Sequence, residues 1–236
     1  MDEFTNFNDV EVGKKTVLLL EKLGYEVKTI PHPISGRSFL SKGMLDEARL
    51  LAQANVELWS TLIDENMPLV GIEPSAILTF RDEYPDLAND ENLSAANNLA
   101  TNSFFIDEFL AKEIDGGFIT KEQFTNKSKS ILLHGHCQQK AVSNISDSVK
   151  VLSFPAQYKV ETIPSGCCGM AGSFGYENEH YAVSMNIGEL VLFPTVRAHK
   201  ETCTIAAPGT SCRHQIKDGT GVHALHTVEV LFEALV

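Results

Sequence analysis

Two adjacent cysteines, Cys167 and Cys168, open the stretch SGCCGMAGSFGYE (165–177), and three glycines fall in the seven residues after them. Vicinal thiols are poor core packers and rarely close into a relaxed disulfide. A loop this rich in glycine lets the backbone come close to a bound group. Three further cysteines complete the set: Cys137 in HGHCQQKA, Cys203 in CTIAA and Cys212 in GTSCRHQI. An odd total of five, with no export signal, argues against a disulfide framework. Reduced thiolates are soft ligands, suited to zinc or to an iron–sulfur cluster. The C-x-x-C knuckle of structural zinc sites is missing, and neighbouring cysteines reach two irons of one cluster more easily than one zinc ion. The spacing favours a cluster on Cys137, Cys167, Cys168 and Cys212 and leaves zinc as the alternative.

Positioning four thiols from three distant segments is the task of the secondary structure. Each segment follows an apolar or alternating run that reads as a strand: SILLHG (130–135), YKVETI (158–163) and CTIAA (203–207). Loops at the carboxyl ends of parallel strands converge on one edge of a sheet, where α/β proteins build their sites. Cys203 lies at the start of a strand rather than after one, so it reads as an ordinary buried thiol. The helices expected around these strands begin at Gln138, span 178–198, and close the chain at 227–235, with the segment 208–212 as a loop.

The first half reads in the same alternating way. Asp9 caps a helix whose apolar face is Val12, Thr16, Leu19, Leu20 and Leu23, with Gly24 as its stop. A strand at YEVKTI (25–30), a long helix over 44–62, a strand at PLVGI (68–72) and a helix within 73–84 follow. Residues 85–102 read as a connection and 103–114 as an amphipathic helix. The halves also resemble each other: YEVKTIPHPISGRSFLSKG aligns with YKVETIPSGCCGMAGSFGY, and LVGIEPSAI with TIAAPGTSCRHQI. In this alignment Ile34 and Ser35 stand opposite Cys167 and Cys168, Glu73 opposite Gly209, and Ala76 opposite Cys212. The expected class is α/β, with two pseudo-symmetric lobes, 1–100 and 101–236, each a small mostly parallel sheet flanked by helices.

Composition narrows the partners. Nineteen Lys and Arg against 31 Asp and Glu give a net charge of −12, contrary to what a phosphate-binding surface for nucleic acid requires. No apolar run is long enough for a transmembrane segment, and the first residues lack the apolar core of a signal peptide, so a cytoplasmic location is expected.

A lone Cys, then Cys-Cys-Gly, then a terminal C-x-x-C-like segment resembles the cysteine-rich CCG domain. That domain occurs in heterodisulfide reductases, in the iron–sulfur component of glycolate oxidase and in anaerobic glycerol-3-phosphate dehydrogenase. FTNFNDVEVG, GRSFLSKGMLDEAR, VGIEPSAILTFRDEYPDL, LHGHCQQKA, GCCGMAGSFGYE and GTSCRHQI are most similar to the C-terminal segments of large FAD-linked D-2-hydroxyacid oxidases. The resemblance implies a [4Fe–4S] cluster on Cys137, Cys167, Cys168 and Cys212 that relays electrons from a flavin to an acceptor. It also implies that FAD sits on another region or partner, since the chain carries no flavin-binding region. The flavoprotein portion and the acceptor are then its partners, membrane association comes only through a partner, and the chain alone turns over no substrate. The first Cys of C-x-x-C is replaced by Gly209, and the thiol-free first lobe is expected to hold no cluster.

Other residues take supporting readings. His134, His136 and His214 are assigned hydrogen-bonding or structural roles ahead of ligation. Arg213 either favours the neighbouring thiolate or is a surface arginine. Glu73 reads as a helix N-terminal carboxylate, Arg37 and Lys42 as solvated charges or contacts to the flavoprotein portion, and Met170 and Phe174 as packing around the cysteine loop. The competing function is a non-redox domain, zinc-binding or metal-free, that docks a partner. A Cys167–Cys168 thiol–disulfide switch ranks third because an eight-membered ring is strained.

Overall fold

All five strands of this protein pair in parallel. The computed structural model describes residues 1–236. β1 (Leu69–Gly71) pairs with β2 (Ser103–Phe105), with Leu69 opposite Ser103. A second sheet holds β3 (Lys129–Leu133), β4 (Tyr158–Thr162) and β5 (Thr204–Ala206) in the order β4-β3-β5. Leu133 lies opposite Thr162 on one side and Ala206 on the other, so the three carboxyl ends finish side by side. Ile131, Leu132 and Leu133 are all buried, as expected for a central parallel strand covered on both faces. The α/β class with two small parallel sheets flanked by helices is therefore observed.

Local chemistry accounts for the sheets' close approaches. A Cβ at Gly71 would stand 2.3 Å from the Ile77 Cβ, so glycine lets helix Pro74–Arg81 lie directly on β1. That helix starts at Pro74 with Glu73 as N-cap, whose carboxylate accepts from the Ser75 amide at 3.2 Å.

Several expected elements differ. YEVKTI (25–30) forms no ladder; Tyr25, Val27 and Ile30 pack against the core, but the strand beside β1 is β2. β2 takes Ser103–Phe105 from the expected helix, which starts at Ile106 and runs to Asp115. Residues 85–102 contain the helix Leu93–Thr101 and most of the helix Glu83–Leu87 rather than open connection. The helix expected over 178–198 is two helices, Tyr181–Leu190 and Leu192–His199. Pro194 explains the break, because it cannot donate to the Leu190 carbonyl and its ring crowds it. The segment 208–212 is not all loop, since a helix spans Thr210–Thr220, and the last helix stops at Phe232.

The largest core cluster, 31 buried residues, runs from Leu19 to Ala234 and draws on both halves of the chain. A second cluster of 12 contains Leu132, Ile163, Met170, Phe193, Ile205 and Ile216, together with Cys168 and Cys212. Asp107 sits at a joint between helices: its carboxylate accepts from Ser148 and, at 2.7 Å, from Thr227. No helix is long and apolar enough to cross a membrane.

Candidate metal centre

The strand order brings the cysteine segments together. Cys137 follows the central strand β3, Cys167 and Cys168 follow β4, and Cys212 follows β5. Cys137 is the first residue of the helix Cys137–Val142, and Cys212 lies in the first turn of Thr210–Thr220, where the helix dipole favours a thiolate. Cys168 and Cys212 are buried, Cys167 is half-buried and Cys137 is exposed. The site thus runs from the second core cluster out to the surface.

The four thiols perturb one another in the order Cys137, Cys167, Cys168, Cys212, with His134 beside Cys212. Cys167 takes hydrogen bonds from Cys137 and Cys168, and from the Gly169 amide at 3.3 Å, which holds it well below the usual thiol range. Cys212 is also pulled down, chiefly by a hydrogen bond from Cys168 and then by His134. Cys137 and Cys168 are pushed up, first by their hydrogen bonds to Cys167 and then by burial and the neighbouring sulfurs. Acceptor and donor thiols alternate along the chain, so binding of a cation would release the remaining protons.

His134 closes the buried end. Its Nδ1 is 2.7 Å from the Ser165 Oγ, while its Nε2 is buried with no hydrogen-bond partner. The ligand atoms of His134, Cys168 and Cys212 all lie within 4.8 Å of one another. Two buried thiols and an unpartnered imidazole nitrogen within 4.8 Å of one another, with Cys167 next to Cys168, are a donor set that fits a thiolate-bound metal group.

Known proteins resemble this chain along nearly its whole length. D-2-hydroxyglutarate dehydrogenase of Escherichia coli (strain K12) is 31% identical over 246 residues, covering 99% of this chain and 22% of that protein. D-2-hydroxyglutarate dehydrogenase of Haemophilus influenzae is 27% identical over 241 residues, covering 99% and 23%. A subunit of the anaerobic glycerol-3-phosphate dehydrogenase of Escherichia coli (strain K12) is 23% identical over 236 residues, covering 98% and 57%. These relatives are oxidoreductases by name. The chain spans 22% of the length of the first of them. No family model and no solved structure matches it.

The remaining residues singled out from sequence fall around the sulfurs in definite ways. His136 is buried as the N-cap of its helix, its Nδ1 accepting from the Gln138 amide at 3.3 Å, and its Nε2 lies 3.9 Å from Glu73 Oε1. Gly209 makes room for that ring: a Cβ there would meet His136 Cδ2 at 2.4 Å and Cys212 Sγ at 3.3 Å. Glu73 caps both halves, since its other oxygen accepts from the Thr210 amide at 2.7 Å. Arg213 donates to the carbonyls of Ala207 (2.9 Å) and Pro208 (2.6 Å) and to Asp9 (2.6 Å), so its charge is spent on backbone and carboxylate. His214 is half-buried and meets the Tyr176 hydroxyl at 2.8 Å. Cys203 is half-buried, in neither the sulfur chain nor the three-donor group. Met170 is buried beneath the loop, and the Phe174 ring stacks on His180 at 4.1 Å. Arg37 pairs with Glu83, and Lys42 with Glu177 just beyond the cysteine loop.

Sequence reasoning missed the groups that fix the loop. Lys140 donates to the carbonyls of Ser165 (2.7 Å) and Gly166 (3.1 Å), clamping the approach to Cys167. Gly169 has φ +105°, and a Cβ there would fall 2.2 Å from the Ser184 carbonyl oxygen. Gln215 donates to that oxygen at 3.0 Å and to the Ser184 hydroxyl at 2.9 Å. A Gly directly after the Cys pair was the one signal in the sequence for this conformation.

Proposed function

We propose that this chain holds one [4Fe–4S] cluster on Cys137, Cys167, Cys168 and Cys212 and serves as the electron-transfer module of an FAD-linked 2-hydroxyacid oxidoreductase. The observation that carries the reading is the delivery of four thiols by three adjacent parallel strand ends, with Cys168, Cys212 and His134 within 4.8 Å of one another. Similarity to D-2-hydroxyglutarate dehydrogenases along 99% of the chain supports the assignment to such an enzyme. The lobe 101–236 carries the cluster and the lobe 1–100 carries none. FAD belongs to a flavoprotein portion or partner, which delivers electrons here for passage to an acceptor. The module works in the cytoplasm, with any membrane attachment made by a partner.

A bound cluster supplies a one-electron carrier. The residues of this chain do the rest. The cysteines provide thiolates, and Lys140 and Gly169 hold the loop that presents two of them. Leu132, Ile163 and Ile205 pack in the cluster that buries Cys168 and Cys212 and keep water from that end. Exposed Cys137 marks the edge through which an electron donor can approach.

Anaerobic reconstitution with iron and sulfide is expected to give a brown protein with about four irons and four acid-labile sulfides per chain. The double variant Cys167→Ala, Cys168→Ala should lose both. Iron binding without labile sulfide, or full loading of the double variant, overturns the assignment.

A further inference from the structure

We infer that His134, Cys168 and Cys212 form a site for a single thiophilic divalent cation, of the zinc or ferrous class, that fills without sulfide and with His134 Nε2 as a direct ligand. The sequence alone favours a supporting role for this histidine. Three observations point the other way. The His134 ring is 1% exposed, yet its Nε2 has no hydrogen-bond partner. A buried nitrogen in that state is costly unless something binds it. Its other nitrogen is held by the Ser165 Oγ at 2.7 Å, the arrangement by which metal-bound imidazoles are oriented. Finally, the ligand atoms of His134, Cys168 and Cys212 lie within 4.8 Å of one another, and a small closing movement brings them to the roughly 3.5–3.8 Å between tetrahedral donors on one ion with bonds of about 2.0–2.3 Å.

The other histidine of the segment does not compete. His136 has Nδ1 engaged in capping its helix and Nε2 facing Glu73. The site lies at the buried end of the thiol chain, whereas Cys137 lies at the exposed end. Two thiolates and one imidazole leave a fourth coordination position, as three-ligand sites do. Both cysteines bind as thiolates, any proton they carry going to solvent, with no change of oxidation state. The site draws on two of the cysteines assigned to the cluster, so the two loadings are mutually exclusive.

Cobalt(II) alone is the probe, added anaerobically to the full, reduced chain with no sulfide present. One cobalt per chain is expected, with sulfur-to-cobalt charge-transfer absorption and imidazole scattering at the cobalt edge. His134→Ala should lose the imidazole signature and weaken binding roughly 100-fold or more, while Ser165→Ala weakens it about 10–100-fold by freeing the ring. His136→Ala and Cys203→Ser should keep the signature. Sulfur-only coordination in the unaltered chain, an unchanged signature in His134→Ala, or no stoichiometric uptake overturns the inference. The cluster reading fails separately, on the absence of labile sulfide after reconstitution with iron.

Discussion

The two loops that follow the matched segments TIP (29–31 and 162–164) differ in what satisfies them. In the first half, the buried Ser35 donates its hydroxyl to Glu3 at 2.6 Å and its amide to the same carboxylate at 3.0 Å. Its carbonyl accepts from the Tyr84 hydroxyl at 2.9 Å, and Asn55 donates to both Tyr84 (3.0 Å) and the Ile34 carbonyl (2.9 Å). These polar groups find their partners within the protein. In the second half the same positions hold Cys167 and Cys168, whose contacts are weak thiol hydrogen bonds and beside which His134 Nε2 goes unpartnered. One backbone feature is shared: Gly36 and Gly169, opposite in the alignment, have φ +78° and +105°, after which the first loop enters the helix Arg37–Ser41 and the second turns again at Ala171 and Gly172. Glu73 and Gly209, also opposite, are each the N-cap of a helix. A loop turning on a left-handed glycine thus serves two ends. With hydrogen-bonding side chains it is complete by itself, and with soft donors it is left able to take a metal.

Making one half more like the other tests this contrast, and the largest effect is expected at Cys212. Cys212→Ala installs the residue of the matching position, Ala76, and should reduce bound iron after reconstitution from about four to below one per chain, read by iron and sulfide analysis. Gly169→Ala combines a left-handed backbone with a Cβ 2.2 Å from the Ser184 carbonyl oxygen, so a loss of about 3 kcal/mol is expected in denaturant unfolding. Gly36→Ala, whose nearest neighbour stands at 3.6 Å, should cost only the backbone strain, about 1–2 kcal/mol. Equal losses at the two glycines would break the comparison.

Ser35→Ala should leave metal loading unchanged while lowering stability by about 1–3 kcal/mol, since Glu3 loses its hydroxyl donor. A loss of metal in that variant would show that the first loop also serves the centre. The effect furthest from the centre concerns the joint at Asp107, whose carboxyl is pushed up from the ordinary 3.8 to about 7, mainly by burial. The folded state then binds more protons than the unfolded one between about pH 4 and 7, so this group's contribution to stability falls as pH rises through that window. Asp107→Asn should flatten that part of the pH–stability curve, and an unchanged curve would remove Asp107 as its source.

Reading the residues in order reached the helices Val10–Lys22 and Leu45–Trp59 and the three strands that precede the cysteines, because each carries its own period or its own run of apolar residues. It misjudged YEVKTI and SFF for one reason: a strand needs a neighbour to pair with, and β1 takes Ser103–Phe105. Long-range pairing leaves no mark within five residues. Pro194, by contrast, was a local signal for the broken helix.

What the sequence determined by itself was the chemistry available: soft thiols placed just past strands, glycine where the loop must turn left-handed, and an acidic surface. Tertiary structure alone decided which groups meet. Placing β3 between β4 and β5 brings the segments that carry His134 and Cys137, the Cys pair, and Cys212 to one edge of the sheet. The same packing turns Arg213 toward Asp9 and leaves His134 Nε2 facing sulfur. Residue type fixes what an atom can bind, but the order of strands fixes which atoms stand within bonding reach, and that order is set by the packing of the whole chain.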